Sequence, residues 1–254
     1  PFPVHALSRV TQINDITGLV LGSETRYFRG VWDAGEREFC GFTRLVQRDT
    51  HSRAAGTAGE ISPPAEVRSW FMTGLREHDA ALSNTCDCIS EFPSRPVRFT
   101  RWNEAESREE MFSPTPEEEI WLRRALRGVP VRTESYGMDG SDRETLPYSI
   151  SQQRWQVRAY STEHAGKPAT LASPIESLSY SCERIPQDPV ISQSLLLTQD
   201  RYGNTLESVT LNYPRTLSPA ALAAEEEARA IYPATLPAGT IRESTDSQQY
   251  DCWL

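Results

Sequence analysis

Residues 19–32 (LVLGSETRYFRGVW) and 37–48 (REFCGFTRLVQR) are two long extended runs with only Asp33-Ala34-Gly35-Glu36 between them. Thr, Tyr, Phe and Val fit a pleated, half-buried surface, and an Asp- and Gly-bearing tetrapeptide reverses a chain. The stretch therefore predicts a long antiparallel hairpin, with Gly35 where a positive φ is expected. A second hairpin is predicted over residues 191–213, where two extended runs flank Asp200-Arg201-Tyr202-Gly203-Asn204. Gly203-Asn204 supplies left-handed conformations at its tip. Leu206, Ser208, Thr210 and Asn212 alternate with Glu207, Val209, Leu211 and Tyr213. Residues 149–160 and 176–184 read as strands of similar length, each with an inside aromatic (Trp155, Tyr180). Residues 66–75 read as another strand, with Trp70 and Phe71 on opposite faces. Near the start, Phe2, Val4, Ala6, Ser8 and Val10 alternate with period two, and residues 14–18 (NDITG) form a turn. Length alone does not decide between one large β unit and two domains, but this pattern predicts a mainly β chain built of long antiparallel hairpins.

One or two short helices interrupt it. Thr115-Pro116-Glu117-Glu118 offers an N-cap, a proline at the first helical position and a capping-box glutamate. Glu117 to Glu119 suit the positive helix start, Arg123, Arg124 and Arg127 the negative end, and Gly128 stops it. A second helix is expected from Ser218-Pro219 through AALAAEEEARA. The expected organisation is one segment over residues 1–254. It has first hairpins to residue 75, an irregular part with helix 116–127 over 76–130, further hairpins over 131–215, and a helix or loop with an exit strand over 216–254.

The net charge of −9 argues against nucleic acid, whose phosphates need clustered cations. No run of about 18 apolar residues is present to span a membrane, and no leader pattern is seen. The first residue is Pro rather than Met, so the chain is expected to be a piece of something larger or a processed form. Lys167 is the only lysine. Coding bias explains this more simply than a need for planar guanidinium forks, which accounts for a few sites. Cys40, Cys86, Cys88, Cys182 and Cys252 are odd in number and scattered, so they read as free thiols. His5, His51, His78 and His164 lie far apart, and only His78-Asp79 carries its own carboxylate neighbour. No nucleophile elbow, phosphate loop or metal-ligand spacing occurs. No catalytic, cofactor-binding or metal-ligating residue is therefore assigned.

Acid pairs are plentiful: Asp33 with Glu36 and Glu38, Glu109 with Glu110, and the triplets 117–119 and 225–227. Glycosidases use two carboxyls about 5–10 Å apart, which Asp33 and Glu36 could meet across their turn. Acids at a hairpin tip are more often solvated turn formers, and Tyr27, Phe28, Trp32, Phe39 and Phe42 more often cross-strand pairs than a sugar platform. Trp32, Asp33, Gly35, Glu36, Arg37, Phe39 and Phe42 are thus expected to form one register-holding hairpin end, with Arg37 paired to a carboxylate. Asp200, Tyr202, Gly203 and Asn204 are expected to form the other. A carbohydrate-binding or glycan-cleaving β-domain using Trp32, Trp70 and their acidic neighbours stays open as an alternative.

The quoted hairpin, preceded by PFPVHALSRV, resembles the B subunit of the bacterial insecticidal Tc toxin complex, in the region after its β-propeller. The matching positions are Pro1 to His5, Trp32-Asp33 and Glu36 to Phe42; Cys40 stands where that family carries arginine. Residues 64–70, 136–141, 147–148 and 154–158 follow in the family's order. DRYGN and the run to Tyr213-Pro214-Arg215 look like a tyrosine-aspartate (RHS-type) repeat. The resemblance implies part of a spirally wound, hollow β-sheet shell that is non-enzymatic and secreted. It further implies a C-type subunit, whose toxic segment the shell encloses, and a pore-forming A-type subunit reached through the rest of the parent chain. No nucleic acid, membrane contact or cofactor is implied. The proteolytic aspartates of the C subunit have no matching segment here. An RHS-type cell-surface adhesin shares the wall without the cargo, and only flanking sequence separates the two. A slice of such a wall is expected to leave long strand edges unpaired.

Overall fold

Asn14 begins the first reversal of the chain, accepting the Ile16 amide on its side chain at 3.0 Å and the Gly18 amide on its carbonyl at 2.8 Å. The computed structural model describes residues 3–16, 18–53, 63–80, 82, 97–160, 169–186 and 189–213. Strand β1 (Arg9–Asn14) pairs antiparallel with β2 (Leu19–Asp33), and β2 with β3 (Glu38–Arg53). The period-two reading of residues 2–10 is corrected, because the strand starts only at Arg9. Alternation does not distinguish a paired strand from an extended lead-in, and Pro3 has no amide to donate. The lead-in is tied down by Thr25 N–H on the Ser8 carbonyl and the Tyr27 hydroxyl on the Leu7 carbonyl.

The remaining strands are β4 (Ala65–Phe71), β5 (Arg98–Asn103), β6 (Arg108–Met111), β7 (Pro130–Gly137), β8 (Ser149–Tyr160), β9 (Ala169–Ser181), β10 (Val190–Gln199) and β11 (Thr205–Asn212). They form one sheet in the order β1-β2-β3-β4-β7-β8-β9-β10-β11. Every pairing is antiparallel except β5 with β8. Along one edge of β8, β7 covers Ser149–Gln152, and β5 takes over from Gln156 to Ala159. The β5–β6 hairpin occupies a region that sequence reading left irregular. Its strands are four to six residues long and highly charged (RFTRWN, REEM), so neither shows an apolar period.

Between the spatial neighbours β4 and β7 the chain carries, besides β5 and β6, two helices, α1 (Arg76–Ala80) and α2 (Pro116–Arg123). In α2 the Glu118 amide donates to Thr115 Oγ1 at 3.3 Å and the Thr115 amide to Glu118 Oε2 at 2.8 Å, which closes the expected capping box. A 3-10 turn (Arg124–Leu126) continues α2, and Gly128 ends it at φ +75°. Leu122 and Leu126 are fully buried against Val157 and Ala159 of β8, with Phe99, Phe112 and Ala172 around them. Two smaller apolar clusters gather around Trp70, Leu82 and Val131, and around Ile150, Tyr180 and Cys182. Cys40 and Cys182 are buried thiols outside any disulfide. The expected helix from Ser218, together with Cys86, Cys88, Cys252 and His164, lies outside the described residues.

Candidate functional site: a buried arginine–glutamate face and two hairpin tips

Strand alternation sends every second residue to one face, and register then aligns those residues into rows across the strands. One row runs Arg9, Glu24, Arg48, Glu66, Tyr136 from β1 to β7. The next runs Arg26, Val46, Arg68, Glu134, Ile150, Tyr180, Ile191 from β2 to β10. A third runs Phe28, Arg44, Trp70, Arg132, Gln152, Leu178, Gln193, Leu211. Many core positions of this face are charged or polar. Arg132, Glu134, Glu66, Gln152 and Gln193 are all buried.

A buried charge is tolerated only when it is paired and hydrogen-bonded, and these are. Arg48 and Arg68 both reach the Glu66 carboxylate, at 2.7 and 2.8 Å. The Arg68 guanidinium lies 4.1 Å from the centre of the Tyr136 ring. The Tyr136 hydroxyl donates to Glu134 at 2.7 Å, and Arg132 Nε donates to its other oxygen at 2.7 Å. Farther along, Arg154 lies 3.7 Å from Glu176, and Gln193 donates to Glu176 at 2.6 Å. Arg44 sits between the Phe28 and Trp70 rings, 5.3 Å from each.

A second node lies where β5 meets β8. Arg158, 1% exposed, donates to Glu109 of β6 at 2.7 Å and to the Asp200 carbonyl at 2.6 Å. Thr100 and Gln156 donate to the same Glu109 oxygen. Burial pushes the Glu66 and Glu109 carboxyls up, but the hydrogen bonds from Arg48 and Arg68, and from Arg158, Thr100 and Gln156, outweigh it and leave both below the ordinary value. A depressed carboxylate contributes stability that is complete above its unfolded pKa and is lost as pH falls through its folded pKa. Urea midpoints are therefore expected to drop as pH falls below the ordinary glutamate value and through the lowered folded values, and the Glu66→Gln/Glu109→Gln double variant to flatten that acid limb. Equal acid limbs in variant and parent would contradict this. Asp79 runs the other way. Burial raises it despite two Thr73 hydrogen bonds, so its contribution is lost as pH rises through its folded value.

The first hairpin tip differs from its expected chemistry. Asp33 Oδ1 accepts the amides of Gly35 and Glu36, at 2.9 and 3.2 Å. Gly35, however, does not take the left-handed conformation; Arg37 does, at φ +55°. Arg37 makes no ion pair among the described residues. The cations that meet the tip come from the end of α2: Arg124 lies 3.0 Å from Glu36 and 3.2 Å from Glu38, and Arg127 reaches Glu38 and lies 3.6 Å from Asp33. Tertiary docking, which no local pattern encodes, chose the helix arginines over the neighbouring one. Arg37→Ala is accordingly expected to leave the unfolding midpoint unchanged, and Arg37→Gly to raise it by relieving φ strain; a lowered midpoint for both would restore the local-pair reading. Phe42 packs on Tyr27 and Phe39, with ring centres 4.8 and 5.0 Å apart. Trp32 is 40% exposed and pairs in register with Phe39.

At the second tip Gly203 is left-handed at φ +88°, while Asn204 is not. Asp200 organises the turn by accepting the Tyr202 and Asn204 amides and the Asn204 side chain, each at 2.8 Å. The tip folds onto β8 and β9. The Tyr160 hydroxyl and Arg158 hold the carbonyls of Arg201 and Asp200. A Cβ on Gly203 would come within 2.5 Å of Leu171. Tyr202 itself is 78% exposed.

Two other candidates lose their geometry. Trp70 is 2% exposed and presents no ring to a glycan, and His78 is exposed while its neighbour Asp79 turns inward to Thr73. Sequence reading named Glu109 only as an acid pair with Glu110 and missed Glu66, Arg132, Glu134 and Arg158. Their signal was present as opposite charges two residues apart (Glu66 and Arg68; Arg132 and Glu134), a spacing that shares one face of a strand.

The model of the insecticide toxin TcdB middle/C-terminal region matches residues 121–254, and that of the middle/N-terminal region matches residues 1–73. The chain belongs to the insecticidal TcdB toxin family. The TcdB2-TccC3 crystal structure is 36% identical over 98% of this chain and 12% of that one, with a TM-score of 0.78. The TcdB2-TccC3-Cdc42 crystal structure is 37% identical over 86% of this chain and 10% of that one, again at 0.78. The Photorhabdus luminescens Tc holotoxin pore, carrying a TccC3 mutation, is 37% identical over 98% of this chain and 11% of that one, at 0.78. No curated protein matches the chain. The chain spans about a tenth of the length of these TcdB-family structures. Its mainly antiparallel sheet with short helices is their fold, as the residues of the first hairpin implied.

Proposed function

We propose that this chain is a non-enzymatic wall segment of an RHS-type shell in a secreted Tc toxin, closed with a C-type subunit around a toxic cargo. The A-type pore-forming subunit is engaged through the rest of the parent chain. The carrying observation is the set of side-chain rows that cross the sheet from β1 to β11, with polar ties between neighbouring strands at Arg9–Glu24, Arg48–Glu66, Arg154–Glu176 and Gln193–Glu176. Ties of this kind hold strand to strand, which is what a wall requires. The turn at Asp200 to Asn204 is the tyrosine-aspartate element of that wall, and the residues of both tips act as register devices rather than chemistry. Likeness to complexes named TcdB2-TccC3 and to a holotoxin pore supports the choice of partners.

The test is to co-express the full-length parent with its C-type partner and image the product by negative stain. A closed hollow particle of equal composition is expected. A compact parent that leaves the partner unbound would overturn the reading.

A further inference from the structure

The β2–β3 hairpin outruns its neighbours. β1 pairs with β2 only as far as Glu24, and β4 pairs with β3 only over Arg44–Arg48. Residues 29–42 therefore form a two-stranded finger whose strands, among the described residues, have only each other as ladder partners. The finger is irregular along its length: Arg29 at its base is left-handed at φ +52°, Gly41 opposite Val31 has φ +102°, and the register slips midway, between Val31 and Trp32. Such bulges bend and twist a ladder.

At its far end the finger meets the end of α2 through charge. Asp33, Glu36 and Glu38 face Arg124 and Arg127, three carboxylates against two guanidiniums. The pairs are partly open to water: the Glu36 and Glu38 side chains are 46% and 42% exposed, while Arg124, Arg127 and Asp33 are 25%, 21% and 15% exposed. Arg127 is also incompletely satisfied, because its Nε and Nη2 have no hydrogen-bond partner among the described residues. Within the finger Val31 and Cys40 are buried, 4% and 5% exposed, and neither belongs to the three apolar clusters of the core.

We infer that residues 29–42 are a hinged strap, latched onto the end of α2 by the Asp33/Glu36/Glu38–Arg124/Arg127 cluster and released when those charges are screened. Solvent-open pairs weaken with salt, since the screening length falls from about 10 Å at about 0.1 M to about 3 Å at about 1 M. The sheet, whose pairs at Arg132, Glu134 and Arg158 are buried, stays closed under the same change. The inference stands on this geometry and does not depend on the shell reading.

Cys40 reports the latch and Cys182, 1% exposed in the sheet core, is the internal control. The full-length protein is treated with a small thiol reagent across that salt range, and labelling is read cysteine by cysteine by peptide mass mapping. Cys40 labelling is expected to rise about tenfold while Cys182 stays unlabelled. The Arg124→Gln/Arg127→Gln variant is expected to label rapidly at Cys40 already at low salt, with no further response to salt. Cys40 labelling that ignores salt, or that rises in step with Cys182, would overturn the strap.

Discussion

Replacing Arg158 with leucine is expected to destabilise the protein by about 3–5 kcal/mol, the cost of breaking a buried pair from one side. Arg158 is 1% exposed and holds Glu109 at 2.7 Å, so leucine strands a largely buried carboxylate. It also removes the donor that holds the Asp200 carbonyl at 2.6 Å. The 200–204 turn should then keep its internal Asp200 bonds yet loosen from β8, retained there by the Tyr160 hydroxyl. Denaturant unfolding gives the stability change, and amide exchange over residues 199–205 gives the loosening. The Arg158→Leu/Glu109→Leu double variant should recover much of the stability, because paired replacement by apolar groups is often neutral. It should not restore protection of the turn. A single variant within about 1 kcal/mol of the parent would show that Arg158 is not the tie between β6, β8 and the β10–β11 tip.

Glu134→Ala carries the other large expectation, again about 3–5 kcal/mol. The Glu134 carboxylate takes Arg132 on one oxygen and the Tyr136 hydroxyl on the other, all three from β7 and all buried. Alanine leaves a guanidinium that is 0% exposed without its carboxylate. Glu134→Gln keeps an acceptor while removing the charge, so its loss should fall between alanine and the parent. Measured unfolding free energies in that order would support the Arg132–Glu134–Tyr136 group as a buried charged tie within β7. Equal losses for alanine and glutamine would assign the whole effect to charge, and equal small losses would remove the row from the stability argument.

Much of the local structure was legible in residues 1–213. The capping box at Thr115 and Glu118, the stop at Gly128, the reversal at Asn14 to Gly18 and the hairpin of residues 191–213 all depend on groups within a few positions of one another. β8 was readable from end to end, because period two and β-branched or aromatic content both act along a single strand. Local reading failed at Arg37 and Gly35 for the same reason. A Gly in an acidic turn is the ordinary place for a positive φ, and an adjacent arginine the ordinary partner for its carboxylates. Arg124 and Arg127, almost 90 residues later in the chain, took that role because the helix end lies beside the tip in space.

The charged core follows the same division. Alternation along β4, β7 and β8 determined that Glu66 shares a face with Arg68, Arg132 with Glu134, and Gln156 with Arg158. The sequence by itself thus set the strands, their turns, the capped helix and which residues look the same way. It did not set that β4 lies beside β7 across residues 72–129, or that β5 enters parallel to β8. It also left open that the Asp200 turn folds back onto Arg158. Those are choices among long-range pairings whose loop-closure cost depends only weakly on length. They are decided with the help of contacts between residues distant in sequence, such as Arg48 with Glu66 and Arg158 with Glu109, and those contacts exist only once the sheet is assembled.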